Sequence, residues 1–183
     1  MPLMVFLYEY YVLQLSWVGE PSKKSSLQRL IDFNRPNVVL LQETLGLNEE
    51  VSCILETLLP GLQFVAVDVR DRSSGLALGW NLKSCRCDGV WSFSSGIGVD
   101  IFDAHLGKVL TILNIYGPFV KRVPYWNSLL KKDFVTNREV ILGGDFYLSL
   151  RCVEVWGPKE ISDTLASFFL IPFPIMICWI LLL

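Results

Sequence analysis

Residues typical of zinc sites are scarce in this sequence. It has one histidine, His105, and five cysteines, of which only Cys85 and Cys87 lie close together, as a C-x-C pair. A structural zinc ion needs about four ligands at characteristic spacings, and no second pair accompanies this one. This scarcity excludes a zinc finger. The odd number of cysteines, without a convincing signal peptide, favours a reducing compartment.

An excess of positive charge is also absent. Sixteen lysines and arginines stand against 18 aspartates and glutamates, which gives a net charge of -2. The overall field therefore does not indicate a nucleic-acid surface, and any such function must depend on a local site. With 183 residues, 52% of them hydrophobic and 19% charged, the chain is too apolar for a disordered protein and long enough for one domain.

Charge is missing altogether from the last twenty residues, since all charged side chains lie at or before Asp163. Residues 165–183 form an apolar run in which Ser167 is the only plainly polar side chain, close to the roughly twenty residues that cross a bilayer. Pro172 and Pro174 would interrupt a helix, and no basic residue follows them. The pattern favours appended out-of-frame or read-through sequence, and a membrane anchor remains the alternative.

The periodicity of the apolar residues predicts a mixed α/β domain. Spacings of three and four residues predict helices over 25–33, 51–59 and 126–130. Short segments rich in branched and aromatic residues predict strands over 11–15, 38–41, 62–69, 75–80, 88–94, 97–103, 108–115 and 140–142. Because a run of strands separates the first helices from the last, the sheets are expected to be largely antiparallel.

Two carboxylates stand directly after predicted buried strands. Glu43 follows residues 38–41 through Gln42, and Asp145 follows residues 140–142 through two glycines. Such acids lie on rigid elements at the rim of a sheet, and two of them can converge on one hard divalent cation. Spacing alone favours the alternative, in which each acid ends its strand and stays solvated.

Two further features lie at strand ends. Tyr116 ends another predicted strand, where its phenol can donate a hydrogen bond to a phosphoryl oxygen or simply pack its ring. Gly143 and Gly144 would let a backbone or a phosphate approach closely.

Three motifs occur in an order that is more specific than any one of them: Gln42-Glu43-Thr44, Asn114-Ile115-Tyr116-Gly117-Pro118 and Gly143-Gly144-Asp145-Phe146. Together they resemble the endonuclease/exonuclease/phosphatase superfamily, and more closely the endonuclease domain of plant LINE-type (non-LTR) retrotransposon proteins. The resemblance spans roughly residues 12–168. It implies a four-layer α/β fold, two mostly antiparallel sheets packed face to face with helices outside, and Mg²⁺-dependent cleavage of DNA, with Mn²⁺ as an alternative ion.

The resemblance also implies roles for individual residues. Glu43 is similar to the metal-binding glutamate, Tyr116 to the tyrosine at the scissile phosphate, and Asp145 to the aspartate that orients and deprotonates the attacking water. Asn114 is expected to contact the substrate phosphate. The DNA backbone is the partner that the resemblance implies, in the nucleus or the cytoplasm, and no protein partner is identifiable.

The sequence departs from the family pattern at three places. Tyr147 stands where the family has an asparagine, whose amide is a fixed donor at the reacting centre. After Ser16-Trp17 the metal-site asparagine is missing, and the later strands with an aspartate and an Asp-His pair are absent, with His105 in a turn of the wrong region. Because losses within one cooperating site are not additive, we expect weak or no nuclease activity.

The domain organisation follows from these matches and departures. We expect an N-terminal extension over 1–10, an incomplete endonuclease/exonuclease/phosphatase-like domain over 11–168 with its C-terminal strands missing, and an apolar tail over 169–183. The missing strands would leave a sheet edge unpaired and the domain prone to aggregation. The alternatives are a non-catalytic scaffold and a tail-anchored membrane-associated protein, and a phosphatase of inositol phosphates or lipids is less favoured.

Overall fold

A computed structural model describes residues 10–14, 20–68, 75–136, 138–147, 163, 165–166, 175–178 and 180–182. The helices are α1 (Pro21–Asn34), α2 (Asn48–Leu58), α3 (Arg122–Leu129) and α4 (Asp133–Thr136). The strands are β1 (Tyr10–Gln14), β2 (Val38–Gln42), β3 (Leu62–Val67), β4 (Leu76–Asn81), β5 (Cys85–Phe93), β6 (Gly96–Asp103), β7 (Lys108–Tyr116), β8 (Val140–Asp145), β9 (Ile175–Cys178) and β10 (Ile180–Leu182). Residues 1–9 of the expected extension, Ser16-Trp17 and residues 169–174 of the expected tail lie outside the described residues.

The strands form two five-stranded sheets. The first has the order β10-β1-β2-β4-β3, and the second has the order β5-β6-β7-β8-β9. Antiparallel pairing joins β2, β4 and β3 in the first sheet and β5, β6 and β7 in the second. The remaining neighbours are parallel: β1 with β2 and β10, and β8 with β7 and β9. In this register Tyr116, the last residue of β7, lies opposite Asp145, the last residue of β8.

Strand β2 shows why the two sheets pack face to face. Its side chains alternate, so that Val38 and Leu40 join the core between the sheets. Val39 and Leu41 point the other way, into the layer covered by the first two helices. All five residues of the strand are buried, which confirms the prediction of a short apolar strand buried on both faces.

Three apolar layers separate the helices and sheets. The central layer comes from both sheets: Val38, Leu40, Leu76, Leu78, Trp80, Cys85, Ile97, Val99, Ile101, Leu110, Ile112, Tyr116 and Ile141. α1 and α2 bury Leu27, Ile31, Val51 and Leu55 against the first sheet. α3 buries Trp126 and Leu129 against the second. This arrangement confirms the predicted sandwich of two sheets with helices outside.

α1 begins earlier than the apolar spacing predicts. Pro21 occupies the first turn, where its fixed φ suits a helix and its missing N–H leaves no hydrogen bond unmade. The helix ends at Arg35, which adopts a left-handed conformation (φ 49°), directly before Pro36. The start of this helix is therefore set by Pro21 and its end by Arg35 and Pro36, whereas the apolar residues determine only which face is buried.

The C-terminal residues differ from the expected apolar tail. β9 pairs with β8 in the second sheet, and β10 pairs with β1 in the first, so each sheet gains one more edge strand. The expected unpaired edge is thus covered, because the backbone groups of an edge strand can pair with any extended segment whatever its side chains. Among the described residues, no helix is both long enough and apolar enough to span a membrane.

Deleting residues 175–183 is expected to uncover the edges of β1 and β8 and to make the chain associate. Lost ladder hydrogen bonds should lower the free energy of unfolding by about 2–5 kcal/mol and the Tm by roughly 5–15 °C. Thermal unfolding and size-exclusion chromatography with light scattering measure both effects. Deletion of Leu183 alone, which leaves all residues of β9 and β10 in place, is the control. A truncated chain that stays monomeric with an unchanged Tm would contradict the pairing.

Candidate active site

A buried pair of amides connects the two sheets. Gln42, at the end of β2, and Asn114, in β7, are both fully buried between the sheets. The Gln42 amide donates to Asn114 Oδ1. Asn114 Nδ2 in turn donates to the carbonyl oxygens of Leu41 at 3.0 Å and Ala77 at 2.8 Å. This amide bridge, Gln42 with Asn114, joins β2 and β4 of the first sheet to β7 of the second.

The structure does not support the expected contact between Asn114 and a substrate phosphate. Both its donor and its acceptor atoms are engaged inside the sandwich. The physical reason is the alternation of side chains along β7, which points Leu110, Ile112 and Asn114 to the same face, toward the central layer. The Asn114 side chain therefore links the two sheets. The buried role of Gln42 was not predicted. The signal that could have indicated it is a polar residue two positions after Leu40, on the face of β2 that points into the core.

Gly144 allows β8 to approach this bridge. Its φ is 134°, and a Cβ atom there would collide with the carbonyl oxygen of Ile115 and lie 2.8 Å from Gln42 Nε2. Only glycine tolerates this backbone and this approach. The close neighbour is thus the protein's own strand. As a result the backbone N–H of Asp145 lies 3.4 Å from Gln42 Oε1, which it approaches as a weak donor.

Glu43, Tyr116 and Asp145 meet at one edge of the sandwich. Glu43 follows Gln42 in a left-handed conformation (φ 57°), and both carboxylates are half-buried. Gln42, which precedes Glu43, lies 3.4 Å from both the Ile115 carbonyl oxygen and the Asp145 N–H. Tyr116 pairs with Asp145, so the three groups lie close together. The negative charges of both carboxylates raise the pKa of the Tyr116 phenol. The structure therefore brings three of the predicted residues to one location.

Tyr116 is held in its protonated form. Its side chain is 8% exposed, and burial is the largest cause of the raised pKa of this phenol. A hydrogen bond with Tyr147 and the charges of Asp145 and Glu43 act in the same direction. The phenol is consequently a hydrogen-bond donor at neutral and mildly alkaline pH.

Tyr147 reaches into the same cluster. Its hydroxyl lies 2.6 Å from the Tyr116 hydroxyl, and its backbone N–H donates to Asp145 Oδ1 at 3.0 Å. The sequence identifies Tyr147 as a departure from the family pattern, and the structure adds that its side chain contacts the predicted phosphate-binding tyrosine.

His105 lies far from this cluster. It occupies the turn before β7, where its backbone N–H donates to Asp103 Oδ1 at 2.8 Å. Tyr116 is at the other end of the same nine-residue strand, roughly 26 Å away along an extended chain. The histidine therefore contributes no base to the cluster.

The donor atoms of the cluster suit a hard cation. Glu43 and Asp145 offer carboxylate oxygens, and Mg²⁺ typically binds through one or two carboxylates while keeping several waters. Within the described part of the chain, no group of three or more His, Cys, Asp or Glu side chains is placed to hold a metal. Two carboxylates are the donor type that Mg²⁺ and Mn²⁺ take, whereas a closed zinc site has about four protein ligands.

Solved structures of other proteins have this fold. An AP endonuclease from Archaeoglobus fulgidus is similar with a TM-score of 0.59 and 17% identity, over 81% of this chain and 61% of that one. An endonuclease/exonuclease/phosphatase family protein from Bacteroides thetaiotaomicron is similar with a TM-score of 0.59 and 9% identity, over 88% of this chain and 67% of that one. D. rerio TDP2, humanized by 14 mutations, is similar with a TM-score of 0.56 and 14% identity, over 75% of this chain and 62% of that one.

These likenesses establish the fold of the chain as that of endonuclease/exonuclease/phosphatase family proteins. The chain spans about 61–67% of the length of these three structures. Comparison of the sequence with protein-family models and with curated proteins gives no match.

Replacing Asn114 should test the amide bridge. Asn114→Leu is expected to lower the free energy of unfolding by about 2–4 kcal/mol, because the carbonyls of Leu41 and Ala77 and the Gln42 amide lose a buried partner. Urea denaturation measures this loss. Asn81→Leu is the control, since Asn81 Oδ1 accepts only an exposed bond from the Lys83 backbone, and we expect less than about 1 kcal/mol.

A double variant separates the bridge from simple loss of volume. Adding Gln42→Leu to Asn114→Leu should cost less than the sum of the two single losses, because the partners act on each other. Equal losses for Asn114→Leu and Asn81→Leu, or strict additivity in the double variant, would contradict the bridge.

The raised pKa of Tyr116 predicts a pH dependence of stability. The unfolded phenol ionises near pH 10, while the folded one holds its proton to higher pH. The free energy of unfolding should therefore fall above about pH 10, by up to about 1.4 kcal/mol per pH unit for this group. Urea denaturation at pH 9, 10 and 11 should show a shallower fall for Tyr116→Phe. Identical slopes for the two proteins would disprove the assignment.

Proposed function

We propose that this chain is a divalent-metal-dependent phosphodiesterase-like domain whose ligand is the DNA phosphodiester backbone. The observation that carries the proposal is the meeting of Glu43, Tyr116 and Asp145 at the ends of neighbouring strands. The fold supports it, because structures with this fold include an AP endonuclease and a D. rerio TDP2 complexed with single strand DNA product.

Each residue of the cluster has a role that its chemistry suits. Glu43 would hold the cation, and the Tyr116 phenol would donate a hydrogen bond to a non-bridging phosphate oxygen. Asp145 would orient a water molecule for attack and accept its proton. When bound, Mg²⁺ or Mn²⁺ would supply positive charge against the charge that develops on the phosphoryl oxygens.

We propose further that turnover is weak or absent. Tyr147 replaces a donor whose removal typically costs about 10²–10³ in rate, and its N–H occupies one oxygen of Asp145. The distant His105 offers no second base. The three ordered motifs support an origin in a plant LINE-type retroelement.

A non-catalytic scaffold that retains the fold is the second candidate. The hydrogen bond between Tyr116 and Tyr147 favours it, since the group expected to bind phosphate already has a partner. The two candidates differ in metal binding, which the phosphodiesterase-like site requires and a scaffold does not.

Metal binding by the purified full chain tests the proposal. Mn²⁺ titration by calorimetry should give a single site whose affinity falls at least about tenfold in Glu43→Gln and in Asp145→Asn. Glu139→Gln is the matched control, since Glu139 precedes β8 at the end opposite to Asp145, and its affinity should equal the parent's. Metal affinity that is absent, or that neither site variant changes, would reject the phosphodiesterase-like site in favour of the scaffold.

Nicking of supercoiled plasmid tests the expected loss of turnover. With Mg²⁺ or Mn²⁺ the parent chain should nick DNA slowly or not at all, and EDTA should remove any nicking that occurs. Rapid nicking that Asp145→Ala abolishes would show that the site is intact and that the proposed loss is wrong.

A further inference from the structure

Tyr147 has an unfavourable backbone conformation that its contacts must stabilise. Its φ is 49°, in the left-handed region that asparagine adopts far more readily than a bulky residue. In this conformation the Cβ atom of an L-residue lies too close to the following carbonyl oxygen. Its persistence indicates that other interactions hold the residue in place.

An arginine clamps the turn that carries Tyr147. Arg122, the first residue of α3, donates from Nη1 to the Tyr147 carbonyl oxygen at 2.7 Å. Its Nη2 contacts both carboxylate oxygens of Asp163, at 2.5 and 2.7 Å. Because this ion pair is largely buried, Arg122 has a fixed direction and holds the Tyr147 backbone against α3.

The Tyr147 side chain contacts two other aromatic rings. Its ring stands edge-to-face against Tyr116, with centroids 5.7 Å apart, and against Phe119 at 5.8 Å. These contacts aim its hydroxyl at the Tyr116 hydroxyl, 2.6 Å away. The Tyr147 ring thus packs against the Tyr116 ring while its hydroxyl occupies the Tyr116 hydroxyl.

We propose that Tyr147 is an autoinhibitory latch, which occupies the Tyr116 hydroxyl and excludes a phosphate oxygen of the DNA backbone from it. This inference rests on the proposed function and adds the reason why the site is closed. A phosphate that binds Tyr116 must first displace the Tyr147 hydroxyl, so the latch competes directly with the ligand.

Two substitutions open the latch in different ways. Tyr147→Phe removes the hydroxyl and keeps the ring between Tyr116 and Phe119. Tyr147→Asn removes the ring and places a residue that suits a φ of 49°. Tyr125→Phe is the matched control, because the Tyr125 hydroxyl makes a hydrogen bond of the same length, 2.6 Å, to Ser95 Oγ outside the cluster.

The first measurement reports on the contact itself. In the full chain labelled with ¹³Cζ-tyrosine, with the Tyr116 signal assigned from Tyr116→Phe, the ionised fraction of Tyr116 is compared at pH 11. Loss of the Tyr147 hydroxyl removes one cause of the raised pKa of Tyr116, so both latch variants should show a larger ionised fraction. An unchanged ionised fraction of Tyr116 in both variants would overturn the proposal, whatever the result of the DNA-binding measurement.

The second measurement reports on the competition. Binding of a fluorescein-labelled 12-base-pair DNA duplex, at fixed salt with Ca²⁺ in place of Mg²⁺, is followed by anisotropy. Freeing Tyr116 from one hydrogen bond should tighten binding about three- to tenfold in Tyr147→Phe and Tyr147→Asn, with no change in Tyr125→Phe. Equal affinity of the parent and both latch variants would overturn the latch even where the Tyr116 titration has moved.

Failure of the proposed function has a different signature. If neither the parent nor any variant binds the duplex, the DNA ligand is wrong and the latch has no ligand to exclude, although the Tyr116 titration still shows the contact. Binding of equal strength in the parent and in Glu43→Gln, with Tyr147→Phe tighter than both, would support the latch and reject the metal role of Glu43.

Discussion

The candidate site depends on an amide bridge between two sheets. Gln42 and Asn114 are uncharged polar groups in a layer built mostly of apolar side chains, and such groups are costly to bury unless every partner is present. Because the partners come from β2, β4 and β7, the hydrogen bonds are satisfied in only one alignment of the sheets. Glu43 comes one residue after Gln42 and Tyr116 two residues after Asn114, so the bridge determines where both residues lie.

The third member of the cluster depends on the same bridge through glycine. Gly144 has no side chain between Gln42 and the Ile115 carbonyl, and this lets the end of β8 lie beside the end of β7. Asp145 therefore stands opposite Tyr116, and the charges of Asp145 and Glu43 both act on the Tyr116 phenol. The two carboxylates offer the oxygen ligands that a hard cation prefers.

Much of the fold could be predicted from residue patterns, because burial on two faces leaves a strong signal. The run 38–41 predicts a strand covered on both sides, and the structure has one. Apolar patterns did not predict the features that the backbone determines. Pro21 starts α1 earlier than the apolar spacing indicates. Residues 175–182 pair with the sheets according to which strand edges are unpaired, which side-chain patterns do not show. The four-residue α4 is too short for apolar spacing to indicate it.

The site was predictable only in part, for a related reason. Strand ends and motif order single out Glu43, Tyr116 and Asp145, but they do not say which way Asn114 faces. The orientation of Tyr147 depends on Arg122 and Phe119, which lie 25 and 28 positions earlier in the sequence although they are near in space. Contacts between side chains on separate loops leave no periodic signal in a sequence.

The path of the C-terminal strands has a consequence for biosynthesis. β9 completes one sheet and β10, after a single intervening residue, completes the other, so one short segment joins the outer borders of both halves of the sandwich. On a ribosome, neither sheet can close before residues 175–182 have emerged from the exit tunnel. The border of β1 then stays unpaired longest, because β1 is made first and β10 more than 160 residues later, and an unpaired border of this kind favours association of the nascent chain.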